Sequence, residues 1–206
     1  MAEKKVPFTK EQLEAIAAEF GTPFHIYLEQ DMRENARRLN AAFAWAPAFR
    51  EHFAVKALPN PYILKIFKEE GCGMDCSSLP ELLLSEKVGV APEAICFTSN
   101  NTPAAEFIKA RELGAVINLD DITHINFLEE CAGLPELLSF RYNPGPLRQG
   151  GNAIIGHPED AKYGVTPDQL LEAIAICQKK GVKRFGLHTM VVSNELNVDF
   201  LIGTAT

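Results

Sequence analysis

The hydrophobic and polar positions change period repeatedly along the chain. Helical spacing predicts a first helix over residues 10–19, opened by Thr9 as N-cap and closed by Gly21. A short apolar run, 24–28, then reads as a strand. From there the pattern predicts helix 31–43, strand 52–57, helix 61–70, strand 72–75 and helix 79–88. It goes on through strand 94–98, helix 103–113, strand 115–119, helix 121–131 and strand 136–142. A loop rich in Gly, Pro and Asn covers 143–158. Helix 167–180 and strand 184–188 follow, and 195–205 can start another helix.

Strands alternating with helices about every 20 to 25 residues signal a parallel α/β fold. A doubly wound dinucleotide fold is disfavoured, because no Gly-x-Gly-x-x-Gly follows the first strand and Gly71-Cys72-Gly73 precedes a strand rather than opening a helix. The expected architecture is a (β/α)8 TIM-type barrel. With the 24–28 segment set aside, about six barrel strands occur where such a barrel needs eight and about 250 residues. The chain ends on Gly203-Thr204-Ala205-Thr206 inside a helix-like segment, and reads as a fragment or a shortened variant. The expected organisation is an N-terminal helix and strand over 1–28 and a partial barrel over 29–206.

Composition narrows the function classes. The 206 residues are 47% hydrophobic and 23% charged with a net charge of −7, the balance of an ordinary globular domain. No run of 18 apolar residues suggests a membrane span. Lys4 and Lys5 precede no apolar segment with a cleavage site, so a cytoplasmic address is expected. Lys and Arg are interleaved with Asp and Glu, which argues against a nucleic-acid partner and for a small-molecule one. The five cysteines are scattered, and Cys72 and Cys76 lack a second pair or a nearby His, so free thiols are favoured over a metal site. His25, His52, His124 and His157 have no second ligand at i+3 or i+4.

Chemistry in a βα barrel sits at the carboxyl ends of the strands. Those ends are polar here: Lys56, Asp75 with Ser77 and Ser78, Ser99 to Asn101, Asn118 with Asp120, Arg141 with Asn143, and His188. Lys56 stands out, because Phe53-Ala54-Val55 leads into a single amine. Desolvated at a buried strand end it would be a nucleophile; reaching solvent it would be an ordinary surface lysine.

Four motifs occur in order: Phe53-Ala54-Val55-Lys56-Ala57; Gly73-Met74-Asp75-Cys76-Ser77-Ser78 followed by Glu81-Leu82; Arg141-Tyr142-Asn143-Pro144-Gly145; and Lys162-Tyr163-Gly164. Together they resemble the pyridoxal-phosphate decarboxylases with an alanine-racemase-type barrel, and most closely the diaminopimelate decarboxylases. The resemblance implies pyridoxal 5'-phosphate carried covalently on Lys56, with Asp75 as the partner of that lysine. Arg141 would lie beside the ring; a salt bridge to Glu81 is its purely structural alternative, and the two are compatible because a paired guanidinium is held in place. The family's usual His-x-His-x-Gly-Ser reads here His188-Thr189-Met190-Val191-Val192-Ser193, so His188 or Met190 would pack on the ring. Ser193 would contact the phosphate, or else cap the following helix. The implied reaction converts meso-2,6-diaminopimelate to L-lysine and CO2, in a homodimer whose C-terminal β-domain this chain lacks. The competing expectations are a non-catalytic pyridoxal-phosphate carrier and a decarboxylase or racemase of the same fold. Missing strands are expected to expose barrel edges and favour self-association.

Overall fold

A computed structural model describes residues 6–147, 157 and 160–206. Helix α1 (Lys10–Phe20) is followed by α2 (Glu29–Ala42), β1 (His52–Ala54), α3 (Pro61–Glu69), β2 (Gly73–Cys76), α4 (Leu79–Lys87) and β3 (Ile95–Ser99). Then come α5 (Ala104–Leu113), β4 (Val116–Leu119), α6 (His124–Ala132), β5 (Leu137–Arg141), α7 (Pro167–Lys179), β6 (Arg184–His188) and α8 (Val198–Ala205). Among the described residues the six strands form one sheet in sequence order, every pair parallel. This is the α/β alternation expected, with helices bridging strands that a hairpin cannot join, and it makes an incomplete, barrel-like sheet.

Local chemistry places the boundaries. Thr9 and Gln12 form the capping box that opens α1, and Thr166 and Gln169 repeat it at α7. Helix α6 starts three residues later than its hydrophobic period implies, because Asp121 Oδ1 accepts from the Thr123 amide at 2.8 Å and its hydroxyl at 2.6 Å, closing a turn first. The expected strand at 24–28 does not form. Its apolar residues instead face α1, where Phe24 and Ile26 line a pocket with Ile16 and Phe20, and the backbone pairs with no strand. Strand β1 is also shorter than its pattern, because Val55–Ala57 turns into 3₁₀ geometry.

The sheet has two unlike faces. Alternate residues Val55, Met74, Cys76, Ile95, Phe97, Ile117, Leu119, Leu138 and Phe140 are fully buried and form the core with the helices. The other parity, His52, Asp75, Cys96, Thr98, Val116, Asn118, Ser139 and His188, lines a cavity of about 350 Å³. A parallel sheet covered on both sides normally reads as a continuous apolar run. A polar inner face is therefore the first structural sign of a ligand site. Strands β1 and β6 are the sheet edges, and Leu187 on β6 is 65% exposed.

The five cysteines are free thiols. Burial pushes Cys76 up to about 12, and Cys96 and Cys177 up to about 11. Since the thiolate is the reactive form, these three are expected to react with a thiol reagent at pH 7.5 far more slowly than in urea-unfolded protein. Equal rates in a timed labelling experiment would contradict this packing.

Candidate active site

Parallel register brings the strand ends into one rim. Ala54 lies beside Asp75, Asn118 beside Ser139, and Arg141 beside His188. Lys56 sits on the 3₁₀ turn just past β1 and is exposed. The expectation of a desolvated amine at a buried strand end is corrected here: the turn carries the amine out of the sheet before it can be covered. Asp75 lines the cavity, and burial pushes its carboxyl up, opposed by the nearby Lys56 charge, reinforced by Glu81 and opposed again by Arg141. Lys56 and Asp75 are thus electrostatic neighbours.

Glu81 belongs to a different unit from Arg141. Its buried carboxylate accepts from the Ser77 amide at 3.0 Å, the Ser77 hydroxyl at 3.1 Å and the Ser78 hydroxyl at 2.7 Å, fixing the turn from β2 into α4. Ser78 occupies the N-cap position of α4, but its hydroxyl donates to Glu81 instead of capping the helix amides. Arg141 pairs instead with Asp120 at 2.7 Å, with side chains only 11% and 4% exposed. The alternative of an Arg141–Glu81 bridge is corrected accordingly: the register of β4 and β5 sets Asp120 beside Arg141, and Glu81 is satisfied by its own turn.

Arg141 is held from three further sides. Its guanidinium lies 4.9 Å from the centre of the Tyr163 ring, a cation–π distance. Nη2 approaches the Met190 sulfur at 3.8 Å. The Val165 amide donates to the Arg141 carbonyl at 2.8 Å, and Gly164 has φ +89° with a would-be Cβ only 2.8 Å from that carbonyl oxygen. Only glycine fits that approach. Arg141 Nε is buried and has no hydrogen-bond partner among the described residues.

His188 lines the inner cavity and also a second one of about 550 Å³ bounded by Tyr142, Pro144 and the end of α8. Its Nδ1 is 3.4 Å from Asn118 Nδ2, and Asn118 Oδ1 accepts from the Ser139 hydroxyl at 2.8 Å. Burial pushes the imidazole below its ordinary 6.5, helped by Arg141 and opposed by Asp120. A depressed histidine contributes stability that is fully present above pH 6.5 and lost as pH falls through the folded value. Replacing His188 with Gln should therefore flatten the stability-against-pH curve below pH 6.5, measured by urea unfolding; an unchanged slope would contradict the burial. Ser193 is half-buried, and the helix after it is capped by Asn197, whose side chain accepts from the Asp199 amide; the capping alternative for Ser193 is corrected.

The rim unites Asp75, Asp120, Arg141, His188 and Met190. In the sequence Asp120 is one polar strand end among several, with nothing to assign it a role. Ser139 and Tyr163 are functional neighbours that the sequence reading misses, although Ser139 has the inward parity of Arg141 on β5, and Tyr163 lies in the Lys162-Tyr163-Gly164 motif. The donor set fits pyridoxal phosphate: an exposed primary amine for an aldehyde, a guanidinium with a free N–H, and an imidazole at the cavity edge.

A helix-backed parallel sheet in this order, with a polar inner face, is the architecture of an incomplete βα barrel with a ligand-binding face. The family model described as "Pyridoxal-dependent decarboxylase, pyridoxal binding domain" matches residues 29–201, and the chain belongs to that family, whose cofactor is pyridoxal phosphate. Protein TabA of Pseudomonas amygdali pv. tabaci is 38% identical over 188 residues, covering 91% of this chain and 43% of TabA. The diaminopimelate decarboxylase of Thermoplasma acidophilum is 31% identical, over 88% of this chain and 44% of its own length. Among solved structures, diaminopimelate decarboxylase from M. jannaschii in complex with L-lysine superposes with a TM-score of 0.83 at 25% identity, over 93% of this chain and 47% of that one. The chain spans less than half the length of these relatives.

Proposed function

We propose that this chain is the pyridoxal-phosphate-binding part of an amino-acid decarboxylase that converts meso-2,6-diaminopimelate to L-lysine and CO2. The observation that carries it is the one-sided polar sheet, with Lys56 past β1 and Asp75, Arg141 and His188 around the same rim. The cofactor, when bound, supplies the electron sink that accepts the pair left behind as the carboxylate departs.

The chain's residues do the rest. The exposed Lys56 amine would hold the cofactor through its aldehyde. Asp75, whose ionised form the Lys56 charge favours, would be the carboxylate neighbour of that amine. Arg141, fixed by Asp120 and Tyr163, would supply a fixed positive charge beside the cofactor ring. His188 and Met190 would pack near the ring, and Ser193 would contact the phosphate. This reading also carries a homodimer of the whole protein and a cytoplasmic address.

A second reading keeps the decarboxylase chemistry and changes the amino acid. TabA, a relative at 38% identity, is not named as a diaminopimelate decarboxylase. Release of labelled CO2 from diaminopimelate, ornithine, arginine and lysine by the whole, cofactor-loaded protein that contains this chain separates the two. Turnover of diaminopimelate alone supports the first, preference for another amino acid supports the second, and cofactor binding without CO2 release contradicts both.

A further inference from the structure

The polar inner face contains a chain of groups that the cofactor roles leave unused. Ser139 on β5 and Asn118 on β4 are 6% and 5% exposed, and buried polar groups of this kind must satisfy one another. The Ser139 hydroxyl donates to Asn118 Oδ1 at 2.8 Å, which turns the amide so that Nδ2 faces His188 Nδ1 at 3.4 Å. The space for that hydroxyl comes from β6: a Cβ at Gly186 would lie 2.9 Å from Ser139 Oγ, although Gly186 needs no special φ. Glycine is there to admit a neighbouring side chain.

An amide nitrogen only donates. The ring nitrogen facing it must accept, so the proton of the neutral imidazole resides on Nε2. We propose that Ser139 and Asn118 are positioning residues that fix His188 as the neutral Nε2–H tautomer, with Gly186 as the gap that makes the relay possible.

The charged surroundings agree with this arrangement. Arg141 on the neighbouring strand disfavours a second positive charge, while Asp120 just past β4 works the other way. Asp75 on β2 and His52 on β1 line the same cavity. The consequence is an imidazole that presents a single N–H donor in a fixed orientation at the junction of the two cavities. The importance of that donor for decarboxylation rests on the proposed function, whereas the tautomer itself does not.

Ring 15N spectra of histidine-labelled protein test it, first without cofactor and then loaded. The wild type should show His188 with Nδ1 bare and Nε2 protonated at pH 7.5. Asn118→Asp places a carboxylate opposite Nδ1. It should move the proton to Nδ1 and raise the His188 titration midpoint by about one to three units, the usual effect of an opposite charge at this range. Ser139→Ala and Gly186→Ala, each of which releases the amide, should give a mixture of tautomers, with backbone amide spectra confirming that each variant is folded. An Nδ1–H tautomer in the wild type, the signature of the flipped amide, overturns the proposal. So does a His188 signal indifferent to Asn118→Asp in folded protein.

In the loaded protein, Asn118→Asp should lower kcat about tenfold or more, because it moves the single N–H donor of His188 to the other ring nitrogen. The acid limb of its pH profile should follow the titration midpoint upward. A wild-type holoprotein with no decarboxylase activity contradicts the proposed function, and the ring spectra still decide the tautomer.

Discussion

Removing the Lys56 amine with Lys56→Ala is expected to abolish covalent retention of pyridoxal phosphate and to cut decarboxylation by roughly 10² to 10⁴-fold, the range for losing a positioned reactive group. The amine stands on a 3₁₀ turn at the end of β1, held there by the Leu58 amide donating to the Val55 carbonyl at 3.2 Å. It is exposed, so the alanine variant loses no core packing and should unfold at the wild-type urea concentration. That separation makes the variant informative: the visible absorbance of the cofactor complex disappears while the fold persists. Lys56→Arg should behave alike, since a guanidinium keeps the charge but has no free amine to condense. Retention of the band in either variant would place the cofactor on another lysine.

The largest expected change in stability lies at Asp120 and Arg141. Asp120 and Arg141 form an ion pair with both side chains nearly out of solvent. Breaking such a pair by truncating one member typically costs about 3–5 kcal/mol, because the surviving charge stays buried without a partner. Asp120→Ala should therefore consume a large part of a domain's usual margin of roughly 5–15 kcal/mol. Tyr163 does not replace the carboxylate, since a ring face contributes typically about 0.5–2 kcal/mol and carries no net charge to neutralise the guanidinium. Asp120→Asn keeps an acceptor and should cost less, and removing the second charge as well, in Asp120→Leu with Arg141→Met, should recover stability while losing the site. Urea titration of the four proteins checks the series, and a double variant less stable than Asp120→Ala would contradict the view that an uncompensated charge dominates.

Much of this arrangement is legible in the sequence, because periodicity and parity both run along single strands. The βα alternation, the polar strand ends and the four ordered motifs are local features, and they bring out Lys56, Asp75, Arg141 and His188. What is not legible depends on relations between strands. Asp120 and Arg141 are 21 residues apart and meet only because Asn118 registers with Ser139, which sets the next inward pair side by side. Glu81 is a plausible partner for Arg141 on sequence grounds, yet two serines at the start of its own helix satisfy it. The 24–28 segment departs from its strand pattern for a similar reason. Alternating apolar residues satisfy a helix face as well as a sheet, and α1 is the available surface. Likewise, the run leading to Lys56 signals burial of Val55, which is fully buried, but not the turn that exposes the next residue.

The proposed function requires one lysine of this chain to carry the cofactor. Borohydride reduction of the protein loaded with pyridoxal phosphate, followed by proteolysis and mass mapping, addresses it directly. A single pyridoxyl label on the peptide containing Lys56 is the expected result. A label on Lys162 or any other lysine, or no label at all under conditions that trap an authentic diaminopimelate decarboxylase, would contradict it.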